Sequence, residues 1–149
     1  MLDLFKPCAN QTGGEQIGKD RFVINSENTG SIDLQKYYFL GILLGICCRT
    51  GVIFSLDMPK MFWKFLTGQR VTIEDVYEVE WRFIRSTQQM LSWTREEFEL
   101  MSVQTWSTNL ADNSMLDLTE DGDGESKQVE FSERFQYVRQ CLQARLTQT

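Results

Sequence analysis

No histidine occurs among the 149 residues, and that absence closes off more chemistry than any single residue opens. It removes the commonest general base, the commonest metal ligand and every Ser-His or Cys-His nucleophile arrangement. Basic residues are outnumbered as well: 15 Lys and Arg against 21 Asp and Glu leave a formal charge of −6. Nucleic acid is excluded as a natural partner, because phosphate binding needs clustered Lys and Arg; a basic protein surface would suit the chain better. Cysteines are few, namely Cys8, Cys47, Cys48 and Cys141. Their spacing fits no zinc pattern, so they read as buried, reduced thiols in a cytoplasmic or nuclear protein. Met1-Leu-Asp-Leu-Phe-Lys6 lacks the basic start and apolar core of a signal peptide. The longest uncharged apolar run, Tyr37 to Cys48, falls short of the ~20 residues that span a bilayer. It reads instead as a buried core helix.

What remains is the composition of an ordinary folded protein, with 42% hydrophobic residues, enough for one domain or two small lobes. The first 30 residues look loop-rich, with a short strand at Arg21-Phe-Val-Ile-Asn25. Ser31 is placed to cap a helix that carries Asp33 in its first turn and runs to about Thr50. That helix is apolar almost all round, which predicts a central position. Gly41 and Gly45 lie one turn apart on it, and a close-packed neighbour would offset their cost of roughly 1 kcal/mol each. Pro59 opens a helix lined by Met61, Phe62, Phe65 and Leu66 and stopped by Gly68. Thr72 caps a short helix, and Trp81 to about Trp93 forms another. Thr94 and Glu97 have capping-box spacing. From Met101 to Trp106 the pattern alternates like a strand, and Asp121-Gly-Asp-Gly124 suggests a hairpin. Ser132 is placed to cap a last helix, with Phe135, Val138, Cys141 and Leu142 inward. The fold class expected is α+β, mainly helical: a helical portion over residues 1–98 and a small α+β portion over 99–149.

Two motifs fail on their chemistry. Gly13 to Asp20 nearly spells a phosphate-binding loop, but Asp20 stands where a magnesium-binding Ser or Thr is needed, and a strand follows instead of a helix. Asp117 to Gln128 begins like a calcium loop, but Thr119 occupies its third position and Gln128 its twelfth, which should be a bidentate Glu. No catalytic residue, metal ligand or cofactor site emerges from the residues.

The ordered set from Tyr37 to Val76 is more specific. A Gly-x-x-x-Gly pair in an aromatic-rich helix is followed by an extended link and the helix start Asp57-Met-Pro59. Then come the stop Leu66-Thr-Gly68 and the cap Thr72-Ile-Glu-Asp-Val76. In order and spacing this resembles the N-terminal lobe of the HECT family of ubiquitin-protein ligases. The similarity continues through Phe83 to Trp93, Asp117 to Gly122 and Phe135-Gln-Tyr-Val138.

The resemblance implies that a charged ubiquitin-conjugating enzyme docks here. The parent enzyme would then carry ubiquitin on a cysteine of a separate C-terminal lobe and pass it to a substrate lysine. It further implies that the 149 residues are the front portion of such a ligase, not catalytic alone. Carried over, the docking groove comprises Phe83, Thr87, Met90 and Trp93 of one segment, Met101 and Val103 of the strand, and Tyr137 and Cys141 of the last helix. Thr87 and Cys141 are smaller and more polar than the family's usual Leu and Tyr. Cys141 lies within an amphipathic helix, away from any Thr-Cys context, and reads as a structural thiol. The rival reading is a helical interaction module whose groove takes some other hydrophobic peptide. If the Gly41/Gly45 face lacks its cover, the chain is expected to self-associate.

Overall fold

The structure is a computed structural model, and it describes residues 3–12, 16–101, 104–110 and 114–148. The chain is mainly helical with two small antiparallel sheets, so the expected fold class holds. Strands β1 (Phe5–Pro7) and β2 (Phe22–Ile24) pair with Phe5 opposite Ile24, flanking the short helix α1 (Ala9–Thr12). Part of the rejected phosphate-loop motif, residues 13–15, lies outside the described residues.

Helix α2 (Ser31–Thr50) overturns one expectation. It has no buried residue, and among the described residues nothing beyond the helix's own backbone and the adjacent positions lies within 4 Å of a Cβ placed at Gly41 or Gly45. Tyr37 ties it to the N-terminal hairpin, its hydroxyl 2.7 Å from the Leu4 carbonyl. Leu34, Tyr38, Phe39, Ile42 and Ile46 are exposed, and any self-association would draw on this surface. An all-round apolar helix reports only that some neighbour is wanted, not that the neighbour is present. Its N-cap is Gly30, not Ser31, which is the first helical residue. Cys48 is exposed and Cys47 half-buried, so only Cys8 and Cys141 are buried thiols as expected.

Gly51 ends α2 in the left-handed conformation. Helix α3 (Lys60–Leu66) starts one residue later than read, with Pro59 as its N-cap, and Gly68 at positive φ terminates it. Thr72 caps α4 (Ile73–Gln89) as expected, its N–H donating to Asp75 at 2.8 Å while Lys64 reaches the same carboxylate oxygen at 2.6 Å. The two helices read here are one element broken at Glu80, whose φ of −137° and ψ of 49° interrupt the ladder.

The break is filled from far away in sequence. Asn10, 2% exposed, donates to the Glu78 carbonyl at 2.8 Å and the Tyr77 carbonyl at 3.3 Å, and accepts the Trp81 N–H at 2.9 Å. Gly18 packs its backbone against the Glu78 carbonyl, where a Cβ has no room. A 3-10 turn, Met90–Ser92, extends α4. The Thr94–Glu97 capping box then opens α5 (Arg95–Met101), with both hydrogen bonds present.

Met101 therefore ends a helix and is exposed; it is not in a strand. The second sheet begins later, pairing β3 (Ser107–Asn109) with β4 (Met115–Asp117). The expected hairpin at Asp121–Gly124 is a turn loop held by Asp117. That carboxylate accepts from the Thr119 N–H and hydroxyl at 2.7 and 2.6 Å and from the Gly124 N–H at 2.8 Å. These bonds, led by the Thr119 hydroxyl, hold the Asp117 carboxyl below its ordinary pKa, so its charge is spent on structure. Gly124 also abuts the Trp106 carbonyl with no room for a Cβ.

Glu130, not Ser132, caps a 3-10 turn (Phe131–Glu133) that leads into α6 (Arg134–Gln148). Phe135 faces outward there, under the Arg134 guanidinium. One core joins Met90, Phe98, Trp106, Val129, Tyr137, Val138 and Cys141. Around Cys8, Met58, Val76 and Val79, an apolar cavity of about 550 Å³ separates the N-terminal hairpin from α3 and α4.

Candidate functional site

Helices α4 and α6 pack on each other, and β3 runs alongside them. Between the three lies a cleft of about 510 Å³. Five residues assigned by resemblance meet there: Phe83, Thr87 and Met90 from the α4 segment, Tyr137 and Cys141 from α6. Their convergence follows from spacing. On α4, positions 83, 87 and 90 share one helical face; on α6, positions 137 and 141 do the same.

Two assigned residues are elsewhere, and a third is not described. Trp93 turns away to pack edge-to-face on Phe98, ring centroids 6.3 Å apart. Met101 is exposed at the end of α5, and Val103 lies outside the described residues.

The floor is more buried than a set of exposed anchors would be. Tyr137 is 4% exposed and Cys141 2%. The Tyr137 hydroxyl lies 3.1 Å from Gln104 Oε1 and 3.2 Å from the Ser107 carbonyl, and its ring stacks edge-on against Trp106. Burial pushes the Tyr137 phenol up, with the neighbouring Cys141 adding to it. Burial likewise raises the Cys141 thiol, against hydrogen bonds with Tyr137 and Thr108. A thiol held protonated is a poor nucleophile. These side chains shape the cleft from inside the core.

What faces solvent is the rim, and sequence reasoning missed most of it. Met115 of β4 is 56% exposed, with Ser86 and Glu125 also exposed around the opening. Gln104, Ser107, Thr108 and Asn109 give one wall hydroxyl and amide character. The alternation of small polar residues from Thr105 to Asn109 carried a weak strand signal, obscured by the polar composition around it.

At the inner end sits Arg145, 8% exposed. Its guanidinium lies over the Phe83 ring at 4.3 Å, and its Nε is 3.4 Å from Glu80 Oε2 at the break in α4. Burial raises the Glu80 carboxyl above its ordinary value, opposed by Arg145 and then Lys6. The described residues contain no helix long and apolar enough to cross a membrane.

Comparison with known proteins supplies the context for this cleft. The HECT-domain (ubiquitin-transferase) family model matches residues 2–149. The chain is 31% identical over 138 residues to the E3 ubiquitin-protein ligase HERC2 of Mus musculus and 30% identical over 138 residues to that of Homo sapiens. Each match covers 90% of this chain but 3% of the relative. A probable E3 ubiquitin-protein ligase HUL4 of Eremothecium gossypii is 27% identical over 78 residues, covering 52% of this chain and 9% of that protein. No solved structure matches. With the family model spanning nearly every residue, the chain belongs to the HECT-domain ubiquitin-transferase family.

Proposed function

We propose that this chain is the docking part of a HECT-type ubiquitin ligase, and that its cleft receives a loop of a ubiquitin-conjugating enzyme charged with ubiquitin. The observation that carries this reading is the meeting of Phe83, Thr87, Met90, Tyr137 and Cys141 around one cleft. In the proposed reaction the parent ligase takes ubiquitin onto a cysteine of a C-terminal lobe and passes it to a substrate lysine. The present residues position the donor and do no bond chemistry. Cys141 has neither the exposure nor the lowered pKa of a nucleophile. The division proposed is into a helical portion over residues 1–98 and a docking portion over residues 99–149. The setting we propose is cytoplasmic or nuclear.

Partner contact should fall on the exposed rim and on the tip that enters the cleft. Met115→Ala is therefore the informative change: it trims a 56% exposed side chain, so the fold should survive. Affinity for the conjugating enzyme is expected to fall about tenfold, the effect of losing one interface anchor. Ile53→Ala trims another exposed apolar residue, 94% accessible on the link after α2, and should leave affinity unchanged. Equal loss from both by calorimetric titration would place the contact on a different surface.

A second expectation concerns chemistry. Incubated with activating enzyme, charged conjugating enzyme and ATP, these 149 residues should form no reducible ubiquitin adduct. A thioester that disappears in Cys141→Ser would overturn the assignment of Cys141 as a structural thiol.

A further inference from the structure

The rim of the cleft is not electrically neutral. Glu125 lines the opening, and it belongs to a loop that also exposes Glu120, Asp121 and Asp123. None of these four takes part in an ion pair among the described residues. The loop is pinned at its base by the three hydrogen bonds to Asp117 and by the contact of Gly124 with the Trp106 carbonyl. Its acids are therefore presented at a fixed place beside the cleft. On the same rim stands the exposed thioether of Met115.

Resting on the docking reading above, we infer that the cleft selects a partner loop with an apolar tip flanked by Lys or Arg. The tip enters between Phe83, Met90 and Tyr137, while the cation meets the acidic loop around Glu125. Hydroxyl and amide groups of the β3 wall supply partners for the backbone of the entering segment, which a purely apolar groove would leave unsatisfied. An acid-rich rim beside a desolvated floor acts mainly on encounter: it raises the association rate and discriminates among partners by charge.

The test uses the whole chain and a purified ubiquitin-conjugating enzyme whose docking loop carries Lys beside its apolar residue. That partner is compared with its own Lys→Gln variant by stopped-flow. For the Lys-bearing partner, Asp123→Lys combined with Glu125→Lys should slow association about tenfold at low salt, with dissociation changed less than about twofold. The slowing should shrink as salt rises, since screening shortens the reach of exposed charges. It should largely vanish with the Lys→Gln partner. Asp20→Lys adds charge of the same sign at an exposed site in the turn before β2, and it should have little effect. Should the double variant fail to fold, Glu125→Gln alone is expected to show the same pattern in smaller degree. Equal slowing by Asp20→Lys, or wild-type rates in the rim variants, would overturn the inference while leaving docking intact. Absence of any binding by the wild-type chain would overturn the docking reading itself, and this inference with it.

Discussion

Replacing Asn10 with Ala is expected to destabilise the protein by about 3–4 kcal/mol, although Asn10 is remote in sequence from everything it holds. Its amide completes the broken ladder of α4, giving two donors to the Tyr77 and Glu78 carbonyls and one acceptor to the Trp81 N–H. The side chain is almost fully buried, so water cannot substitute without opening the site. Each buried group left without a partner costs roughly 1–3 kcal/mol. In a domain of this size the loss should lower the melting temperature by roughly 10 °C. Asn10→Asp keeps an acceptor for Trp81 but sets carboxylate against two carbonyls, so it should not rescue. A thermal melt of both variants checks this; a drop under about 2 °C would mean that the break in α4 is not held from outside.

The Arg145→Met variant should lose about 3–5 kcal/mol at neutral pH, the usual penalty for removing one partner of a buried ion pair. Arg145 and Glu80 are both largely out of water, with side chains 8% and 17% exposed. Without the guanidinium, the Glu80 carboxylate keeps its desolvation cost and loses its main opposing charge. The pH dependence has a definite sign. Glu80 holds its proton to higher pH in the folded protein than in the unfolded chain, where 4.5 is ordinary. Its contribution to stability is therefore full below that unfolded value and is lost as pH rises through the raised folded value. The Arg145→Met deficit should be largest at neutral pH and shrink on acidification toward 4.5. Adding Glu80→Gln should recover a large part of it. Denaturant titrations at several pH values decide the matter, and a deficit independent of pH would show that Arg145 acts only through its packing on Phe83.

These two side chains mark the limit of what the sequence makes legible. Local signals were readable because they act within a few residues. The Thr72 and Thr94 caps, the glycine stop at Gly68 and the short strand after Arg21 each depend on neighbours in sequence. The helical faces that bring Phe83, Thr87 and Met90 toward Tyr137 and Cys141 also follow from periodicity, once a resemblance says which faces meet. Asn10 was not readable, since nothing near it reports that its partners lie about seventy positions ahead in sequence. The same holds for Met115, brought to the cleft rim by the pairing of β3 with β4, strands of three residues each that are too short to show a period-2 pattern. Helix α2 failed in the opposite way. Its composition says that it wants burial, but composition cannot say what covers it. Met101 and Trp93 show how a shifted helix boundary redirects a side chain: the backbone is extended at Trp93, where a helix was expected, and α5 runs through Met101, where a strand was expected, which takes Met101 to the surface.

The central claim is that a ubiquitin-conjugating enzyme enters the cleft between α4, α6 and β3. Methyl-labelled methionines report on it directly, because Met90 and Met115 line the cleft whereas Met58 and Met61 line the separate apolar cavity beneath the N-terminal hairpin. On titration with a charged conjugating enzyme, the Met90 and Met115 methyl signals should shift and saturate together, with Met58 and Met61 unmoved. Shifts confined to Met58 and Met61, or saturation of binding with Met90 and Met115 unchanged, would contradict the account.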